Sequence, residues 1–272
     1  MLRKAFDAMM RLSPLARRLR SKYWHGYVAK TIKDAPIAFL NYGYAGLLPE
    51  NPRLDLLPED EPDRLFIRLY HHVASAVDLA GREVVEVGCG RGGGASYIRR
   101  YLKPRVVVGV DLTERNLLFC AVRHRAEGLF FLRGDAESLP FADGAFDALV
   151  NVESSHCYGD MNRFLSEVVR VVRPRGYFLF ADFRFAADAP ALREQIVQCG
   201  LEIEREVDIT PFVLRAMEQD TERRFHLIRQ YMPPLLHKIS GESAGLKGSG
   251  VYRALDSGRM TYLSFVLQRK TI

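Results

Sequence analysis

The chain has 272 residues, of which 48% are hydrophobic and 26% are charged. This balance is typical of a globular protein and excludes a disordered or fibrous chain. No stretch approaches the roughly 20 uninterrupted apolar residues that cross a bilayer, and the first residues lack the apolar run of a secretory signal. We therefore expect a soluble protein with one α/β core and additions to it.

The formal net charge of +6 lies in the N-terminal segment. Residues 1–22 contain seven basic residues and one acidic residue, so the remainder is formally neutral. This distribution argues against a groove that follows nucleic-acid phosphates, and we predict no nucleic-acid partner. Leu2, Phe6, Met9 and Met10 recur at helical spacing before Pro14. The pattern predicts either a basic amphipathic helix in weak contact with a membrane surface or a helix that packs on the core.

Cysteine spacing bears on metal binding and on the cellular compartment. The four cysteines form no C-x-x-C pair and no Cys/His cluster of metal-ligand spacing. Neither H-E-x-x-H nor paired carboxylates at metal spacing occur, so we predict no metal. The cysteines read as reduced thiols of a cytoplasmic protein. They are Cys89, Cys120, Cys157 and Cys199.

The chain divides into regions of different pattern. Residues 1–80 are helical in pattern, with a proline-rich interruption at 49–62, and are predicted to form a lead-in and lid. Residues 81–272 are predicted to form the main domain, with a helical substrate cap at about 184–258. The Gly/Ser-rich run at 241–250 fits a mobile cap.

Apolar β-rich runs alternate with helical patterns in the centre of the chain. This alternation predicts a doubly wound, Rossmann-like, mostly parallel sheet. Two further strands, the last one antiparallel, bring the predicted sheet to seven strands. The predicted strands are Glu83–Val87, Val106–Val110, Leu129–Leu132, Phe146–Val152, Tyr177–Ala181, one near Glu202–Val207, and Thr261–Arg269; the predicted helices lie near Gly93–Tyr101, Glu114–Arg125 and Met161–Val172.

The sharpest local feature is the apolar strand Val84–Val87, which runs into the glycine-rich stretch Gly88–Gly94 and then a helix. Glycines let the backbone approach a ligand, and free N–H groups at the helix start favour polar or anionic groups. Asp111 ends the next strand, where its carboxylate suits a ribose diol. The glycines also satisfy G-x-G-x-x-G, so a nicotinamide- or flavin-dependent oxidoreductase is one interpretation.

An acidic residue within that strand favours a different ligand. Glu86 lies two residues before the first glycine, where a dinucleotide-binding strand usually continues apolar, and it suits an ammonium group. The pattern resembles motif I of the class I S-adenosylmethionine-dependent methyltransferases. Gly134–Glu137, Phe146–Asn151 and Glu167–Gly176 resemble later motifs of that family in the same order. Arg175 replaces a usual glycine of the last motif, which is a structural position.

The resemblance implies S-adenosylmethionine as cofactor and assigns residues to its parts. Glu86 and the glycines would hold the methionine end, Asp111 the ribose, and Asp135 the adenine. Taken singly, each acid is equally well explained as a strand-end carboxylate or a helix cap; jointly they favour the cofactor. The implied cofactor-binding residues are Glu86, Gly88, Cys89, Gly90, Asp111, Leu112, Asp135, Ala136 and Asn151.

A second resemblance points to the acceptor. Phe39–Tyr44, Glu61–Arg64, Gly92–Tyr97 and Asn151–Tyr158 are similar to the phthiotriol and phenolphthiotriol dimycocerosate methyltransferases, which act on lipid hydroxyls. The likeness fades after about Arg184. It implies a small-molecule acceptor that is bulky, largely apolar and hydroxylated, with a precise identity that depends on the cap.

Two residues are candidates for the chemistry of transfer. His156 follows the fourth strand and Asp182 follows the fifth, so both should emerge at the carboxyl edge of the sheet. A neutral imidazole can take a hydroxyl proton, and a carboxylate can orient it and stabilise its cation. The same pairing resembles the sugar O-methyltransferases of indolocarbazole biosynthesis. The alternative is a histidine with a structural role only.

Four aromatic residues complete the predicted site. Tyr23, Trp24, Tyr42 and Tyr44 either line an apolar acceptor cavity or pack in the core. Together the patterns predict an S-adenosylmethionine-dependent O-methyltransferase of a lipid- or polyketide-like molecule. A non-methylating enzyme of the same fold and a nicotinamide-dependent oxidoreductase are the alternatives.

Overall fold

A single mixed sheet organises the part of the chain that the computed structural model describes, residues 13–46 and 54–271. The helix predicted before Pro14 lies outside these residues, as does the start of the proline-rich stretch. The strands of the described part are β1 (Glu83–Val87), β2 (Val106–Asp111), β3 (Leu129–Arg133), β4 (Phe146–Val152), β5 (Val172–Phe185), β6 (Leu201–Asp208) and β7 (Met260–Arg269).

Helices flank this sheet and cover its carboxyl edge. In the described residues they are α1 (Pro14–Thr31), α2 (Arg64–Ala74), α3 (Gly93–Tyr101), α4 (Glu114–Arg123), α5 (Met161–Val171), α6 (Ala189–Gln198), α7 (Thr210–Gln219), α8 (Thr221–Tyr231), α9 (His237–Ser243) and α10 (Gly250–Asp256). Short 3-10 turns lie at Glu61–Asp63, Ser155–Cys157, Ala186–Asp188 and Pro234–Leu236.

The strand order confirms the predicted topology. The described strands follow the order β3-β2-β1-β4-β5-β7-β6. Strands β1 to β5 pair in parallel, and β7 runs antiparallel to both of its neighbours. The tail strand β7 pairs with β6, the strand predicted near residues 202–207. The order reverses between β1 and β4, which is where ligands bind in doubly wound folds.

Two apolar layers hold the sheet. On one side α2, α3, α7 and α10 contribute to a buried cluster that includes Ile67, Ile98 and Met217. On the other side α5 and α6 supply a second cluster, which includes Phe164 and Ile196. Central strands read as continuous apolar runs because both of their faces are covered.

The structure refines the predicted division of the chain. Within the lead-in, α2 is part of the main core and buries six residues, whereas α1 lies across the carboxyl edge and contacts α4. In the predicted cap region, α6 and β6 belong to the sheet and its covering layer. Helices α7 to α10 occupy the connection between β6 and β7.

Strand β5 begins five residues earlier than predicted. Val172 pairs with Phe146, and a register shift follows before Ala148 pairs with Tyr177. Arg175 lies in this irregular stretch with a φ of 63°. That left-handed region favours glycine, which is the residue that Arg175 replaces in the sequence motif.

The described residues contain no helix that is both long and apolar enough to cross a membrane. All four cysteines are free.

Replacing Phe178 with alanine should lower the free energy of unfolding by about 3–5 kcal/mol. Phe178 is fully buried, and its ring lies 5.8 Å from that of Phe164 and 5.2 Å from that of Phe180, so truncation leaves a cavity. Urea denaturation measures the loss. The control is Val197→Ala, at a residue that is 50% exposed; an equal effect in both variants would contradict the prediction.

Candidate active site

The glycine-rich turn joins the ends of β1 and β2. The backbone N–H groups of Gly88 and Cys89 donate to the Val110 carbonyl at 2.8 and 3.0 Å. Gly88 has a φ of 77°, and a Cβ there would lie 1.9 Å from Ser154 Oγ. Both the backbone conformation and the close approach of Ser154, two residues after β4, therefore require glycine at this position.

Two buried side-chain oxygens beside this turn lack hydrogen-bond partners within the described structure. One is Oε2 of Glu86, a residue that is 1% exposed, and the other is Oδ1 of Asn151. Glu86 Oε1 accepts from the Tyr70 hydroxyl at 2.7 Å, and Asn151 Nδ2 donates to the Val87 carbonyl at 2.8 Å. Unpaired buried acceptors are costly, so this pocket suits a ligand that carries several donors.

Burial raises the pKa of Glu86 to about 8, because hydrogen bonds from Tyr70 and from the Ala95 backbone only partly offset the loss of solvent. The carboxyl is therefore largely protonated at neutral pH. A nearby ammonium group would favour the ionised form.

Asp111 braces the glycine-rich turn from the end of β2. Its Oδ2 accepts from the Gly90 N–H at 2.9 Å, and its Oδ1 accepts from the Thr113 N–H at 2.7 Å. Burial still raises the pKa of Asp111, although these hydrogen bonds oppose the rise. A carboxylate oxygen accepts at more than one position, so these contacts leave capacity for a ribose hydroxyl.

At the end of β3 the site contains a contact that the sequence did not predict. Asp135 Oδ1 accepts from the Glu137 N–H at 3.1 Å. Arg18 of α1 reaches both acids, pairing through Nη2 with Asp135 and through Nη1 with Glu137 at 3.0 Å. Helix α1 therefore closes over the predicted adenine position.

The predicted cofactor-binding residues meet at the carboxyl ends of four neighbouring strands. Glu86, Asp111 and Asn151 belong to β1, β2 and β4, and the stretch 134–137 follows β3. Cys89 is buried, whereas Leu112 and Ala136 are half-buried beside the acids. The orphan oxygens, the glycine-rich turn and the strand-end carboxylates fit the amino-acid, sugar and base parts of S-adenosylmethionine. Glu86 and Asn151 would hold its amino group.

The structure brings the two predicted residues His156 and Asp182 together as a hydrogen-bonded pair, which we call the dyad. Asp182 is 2% exposed, and its Oδ1 lies 2.8 Å from His156 Nδ1. Its Oδ2 accepts from the Ser155 hydroxyl at 2.6 Å and from the His156 N–H at 2.8 Å, and the Phe183 N–H donates to Oδ1 at 2.8 Å. These contacts fix the 3-10 turn at 155–157 and orient the imidazole, whose ring centroid is 4.3 Å from that of Phe183.

Charges around the dyad stabilise an imidazolium. Burial acts to lower the pKa of His156, but Cys157 and Asp182 outweigh it, and the pKa lies well above its ordinary value of 6.5. Burial likewise opposes ionisation of Asp182, yet His156 lowers the pKa of that carboxyl to about 2. The pKa of Cys157 is lowered because His156 and a hydrogen bond from Ser21 overcome its burial.

Glu153 is a site residue that the sequence reasoning missed. It has a φ of 47°, and its Oε1 accepts from the Tyr42 N–H at 2.7 Å and from the Tyr262 hydroxyl at 2.9 Å. Burial raises the pKa of Glu153 to about 7. Its only sequence signal was its place in the stretch 151–158. A strained conformation and a shifted pKa at a strand end are typical of functional sites.

The four predicted aromatic residues occupy different environments. Tyr42 stacks on Phe183 with centroids 5.5 Å apart, which places it beside the dyad. Trp24 donates through Nε1 to Ser243 Oγ at 3.1 Å, linking α1 to α9. Tyr44 packs in the core, 4.8 Å from the ring of His72. Tyr23 is 73% exposed, which corrects its predicted place in a cavity wall: it lies on the open side of α1.

Within residues 13–46 and 54–271, no group of three or more His, Cys, Asp and Glu residues is arranged to hold a metal ion.

Comparison with known proteins identifies the family. Residues 85–180 match the family described as "Methyltransferase domain". The chain is 40% identical over 243 residues to the phthiotriol/phenolphthiotriol dimycocerosates methyltransferase of Mycobacterium tuberculosis (strain ATCC 25618 / H37Rv), covering 89% of this chain and 88% of that one. This chain belongs to the S-adenosylmethionine-dependent methyltransferases.

Further comparisons agree. The methyltransferase is 41% identical over 217 residues to the fatty-acid O-methyltransferase of Mycolicibacterium smegmatis, covering 79% of this chain and 78% of the relative. The solved structure of the cyclase SpnF has a TM-score of 0.71 at 20% identity, covering 96% and 98% of the two chains. Geranyl diphosphate C-methyltransferase from Streptomyces coelicolor A3(2), solved with S-adenosylhomocysteine, has a TM-score of 0.62 at 18% identity, covering 84% and 91%. S-adenosylmethionine is the cofactor.

Cofactor affinity should increase with pH up to about 8 and decrease above it, where the amino group of the cofactor loses its own proton. The carboxyl of Glu86 has a pKa of about 8 in the free site. If it pairs with the amino group of the cofactor, binding releases a proton, and affinity changes by up to about tenfold per pH unit. Isothermal titration calorimetry in buffers of different ionisation enthalpy measures the release. Glu86→Gln retains the titration of the cofactor's own amino group and serves as the control; identical proton release in both proteins would contradict this prediction.

Glu153→Gln should stabilise the cofactor-free methyltransferase at pH 8 by about 2 kcal/mol. Folding raises the pKa of Glu153 from 4.5 to about 7, so wild-type stability is lost as pH rises through that window, and the neutral amide avoids the loss. Thermal unfolding from pH 4.5 to 8 should show the two proteins converging at the acid end. Glu204→Gln, at an exposed carboxylate, is the control. A less stable variant at pH 8 would show that the charge itself holds Tyr42.

Proposed function

We propose that this methyltransferase transfers a methyl group to a hydroxyl of a bulky lipid- or polyketide-like acceptor, with His156 as general base. The observation that carries the proposal is the hydrogen bond between His156 Nδ1 and the buried Asp182 carboxylate. His156 follows β4, the strand beside β1 and its glycine-rich turn, and Asp182 lies on β5, the next strand of the sheet. The names of two relatives give phthiotriol/phenolphthiotriol dimycocerosates and fatty acids as acceptors, which supports a lipid-like molecule for this chain.

The reaction requires alignment and removal of one proton. When bound, S-adenosylmethionine would supply an electrophilic methyl carbon to the acceptor oxygen, with its sulfonium sulfur as the leaving group. The His156 imidazole accepts the hydroxyl proton, and Asp182 stabilises the resulting cation through Nδ1. Positioning of the hydroxyl opposite the departing sulfur supplies much of the acceleration.

Helix α1 and the loop at 37–46 exclude water from this region. Arg18 ties α1 to the end of β3, and Glu153 ties Tyr42 to the end of β4. Tyr42 and Phe183 are both buried and provide an apolar surface beside the imidazole. A poorly hydrated pocket suits a reaction that disperses the sulfonium charge.

The alternatives have less support. The likeness to the cyclase SpnF is at 20% identity and concerns the fold alone, whereas the relatives near 40% identity are methyltransferases. Membership of the methyltransferase family sets aside a nicotinamide-dependent oxidoreductase. A cytoplasmic location, the absence of a nucleic-acid partner and membrane contact by residues 1–22 stay predictions.

His156→Gln should lower kcat on a hydroxylated acceptor by about 10²–10⁴-fold and leave cofactor affinity unchanged. Because a base acts only when unprotonated, the raised pKa of His156 predicts that wild-type kcat/KM increases with pH on a limb above 6.5. The variant should lose this limb. Initial rates with labelled cofactor across the pH range measure both effects.

The control for this experiment is His226→Gln, at an exposed histidine on α8. Parental rates in His156→Gln with a hydroxylated acceptor would refute the base assignment. Activity on fatty acids alone, insensitive to this change, would refute the hydroxyl target, because a carboxylate has no proton to lose near neutral pH.

A further inference from the structure

We propose that the outer sides of α1 and α4 form a docking surface for an anionic lipid membrane. Five large side chains are exposed there: Leu19, Tyr23, Tyr27, Leu118 and Val122. Their exposed fractions range from 38% for Tyr27 to 73% for Tyr23 and Val122. We call this surface the α1–α4 face.

Helical spacing aligns these side chains in two stripes. Leu19, Tyr23 and Tyr27 follow at intervals of four residues on α1, and Leu118 and Val122 do so on α4, so each set shares one side of its helix. Gly26 and Leu118 line the same shallow groove. Since Gly26 is three residues from Tyr23 and seven from Leu19, the two stripes adjoin and form one surface.

The opposite side of α1 accounts for the packing of that helix. Arg18 pairs with acids at the end of β3, and Trp24 bonds to Ser243 and packs against a separate apolar cluster. In the outer stripe, the ring of Tyr27 stacks on that of Trp24 with centroids 6.2 Å apart, whereas Leu19 and Tyr23 take no part in these contacts. Contiguous exposed apolar residues on a water-soluble surface usually mark an interaction site.

The charge around the stripes selects the partner. Six exposed basic residues lie on or beside these helices, against three exposed acids, Asp34, Glu114 and Glu127. A second copy of the chain would bring the same basic side chains together, whereas an anionic lipid surface would attract them. Tyrosine also favours the boundary between headgroups and acyl chains. The basic residues are Lys22, Lys30, Lys33, Arg115, Arg123 and Arg125.

Docking through this face would place α1 against the membrane. The inner side of α1 covers the cofactor site, and a lipid acceptor would reach the dyad from the surface on which α1 lies. This consequence rests on the proposed function. Membrane binding itself does not rest on the proposed function, so the docking proposal and the proposed function can fail independently.

The test is sedimentation of the full-length protein with phosphatidylcholine vesicles that contain phosphatidylglycerol, compared with phosphatidylcholine alone, at low and high ionic strength. Wild type should bind the anionic vesicles and dissociate as salt increases. The double variant Leu118→Ser/Val122→Ser should bind at least about tenfold more weakly, and so should Arg115→Gln/Arg123→Gln. Val197→Ser, at an exposed valine of α6, should bind as wild type does.

Each other outcome overturns the proposal. Equal binding to neutral and anionic vesicles would remove the charge argument, and unaltered binding of both double variants would assign any membrane contact to another segment. A change of oligomeric state in these variants, seen by light scattering, would make a second copy the partner. Methyl transfer to a dispersed, water-soluble acceptor should be unchanged in the α4 variants, which separates a failure of docking from a failure of the proposed reaction.

Discussion

The buried Asp182 carboxylate is the interaction on which the transfer site depends. It accepts hydrogen bonds from one hydroxyl, two backbone N–H groups and the His156 ring. An ionised carboxylate with almost no exposure is stable only when its oxygens are satisfied in this way. The same contacts fix the turn at 155–157, the direction of the imidazole and its affinity for a proton. Catalytic geometry and local stability therefore have a common origin.

The cofactor half of the site follows an opposite rule. There the structure leaves buried acceptors unpaired on Glu86 and Asn151 and keeps the Glu86 carboxyl at a raised pKa. A ligand that brings donors and positive charge relieves both costs at once. One edge of the sheet thus combines a satisfied carboxylate, which positions a base, with an unsatisfied one, which is suited to a cation.

Much of this arrangement was predictable because it is local in sequence. Strand–turn–helix patterns located the sheet and the glycine-rich turn, and the expected positions of His156 and Asp182 at the ends of successive parallel strands predicted that they would meet. The fifth strand in fact continues through Asp182 to Phe185, so Asp182 lies within β5 and not after it. The contacts of Arg18 with Asp135 and of Glu153 with Tyr42 were not predictable, since they join residues more than a hundred positions apart. They depend on where α1 and its following loop lie, and no periodic pattern specifies that.

The Arg18 bridge has a kinetic consequence. Its guanidinium spans Asp135 and Glu137, the acids beside which an adenosine group would sit. Exchange of the demethylated nucleoside for S-adenosylmethionine then requires either that α1 moves away from the site or that the Arg18 guanidinium shares a carboxylate with the nucleoside. Release of the demethylated nucleoside would therefore depend on the same rearrangement of α1 as the entry of S-adenosylmethionine.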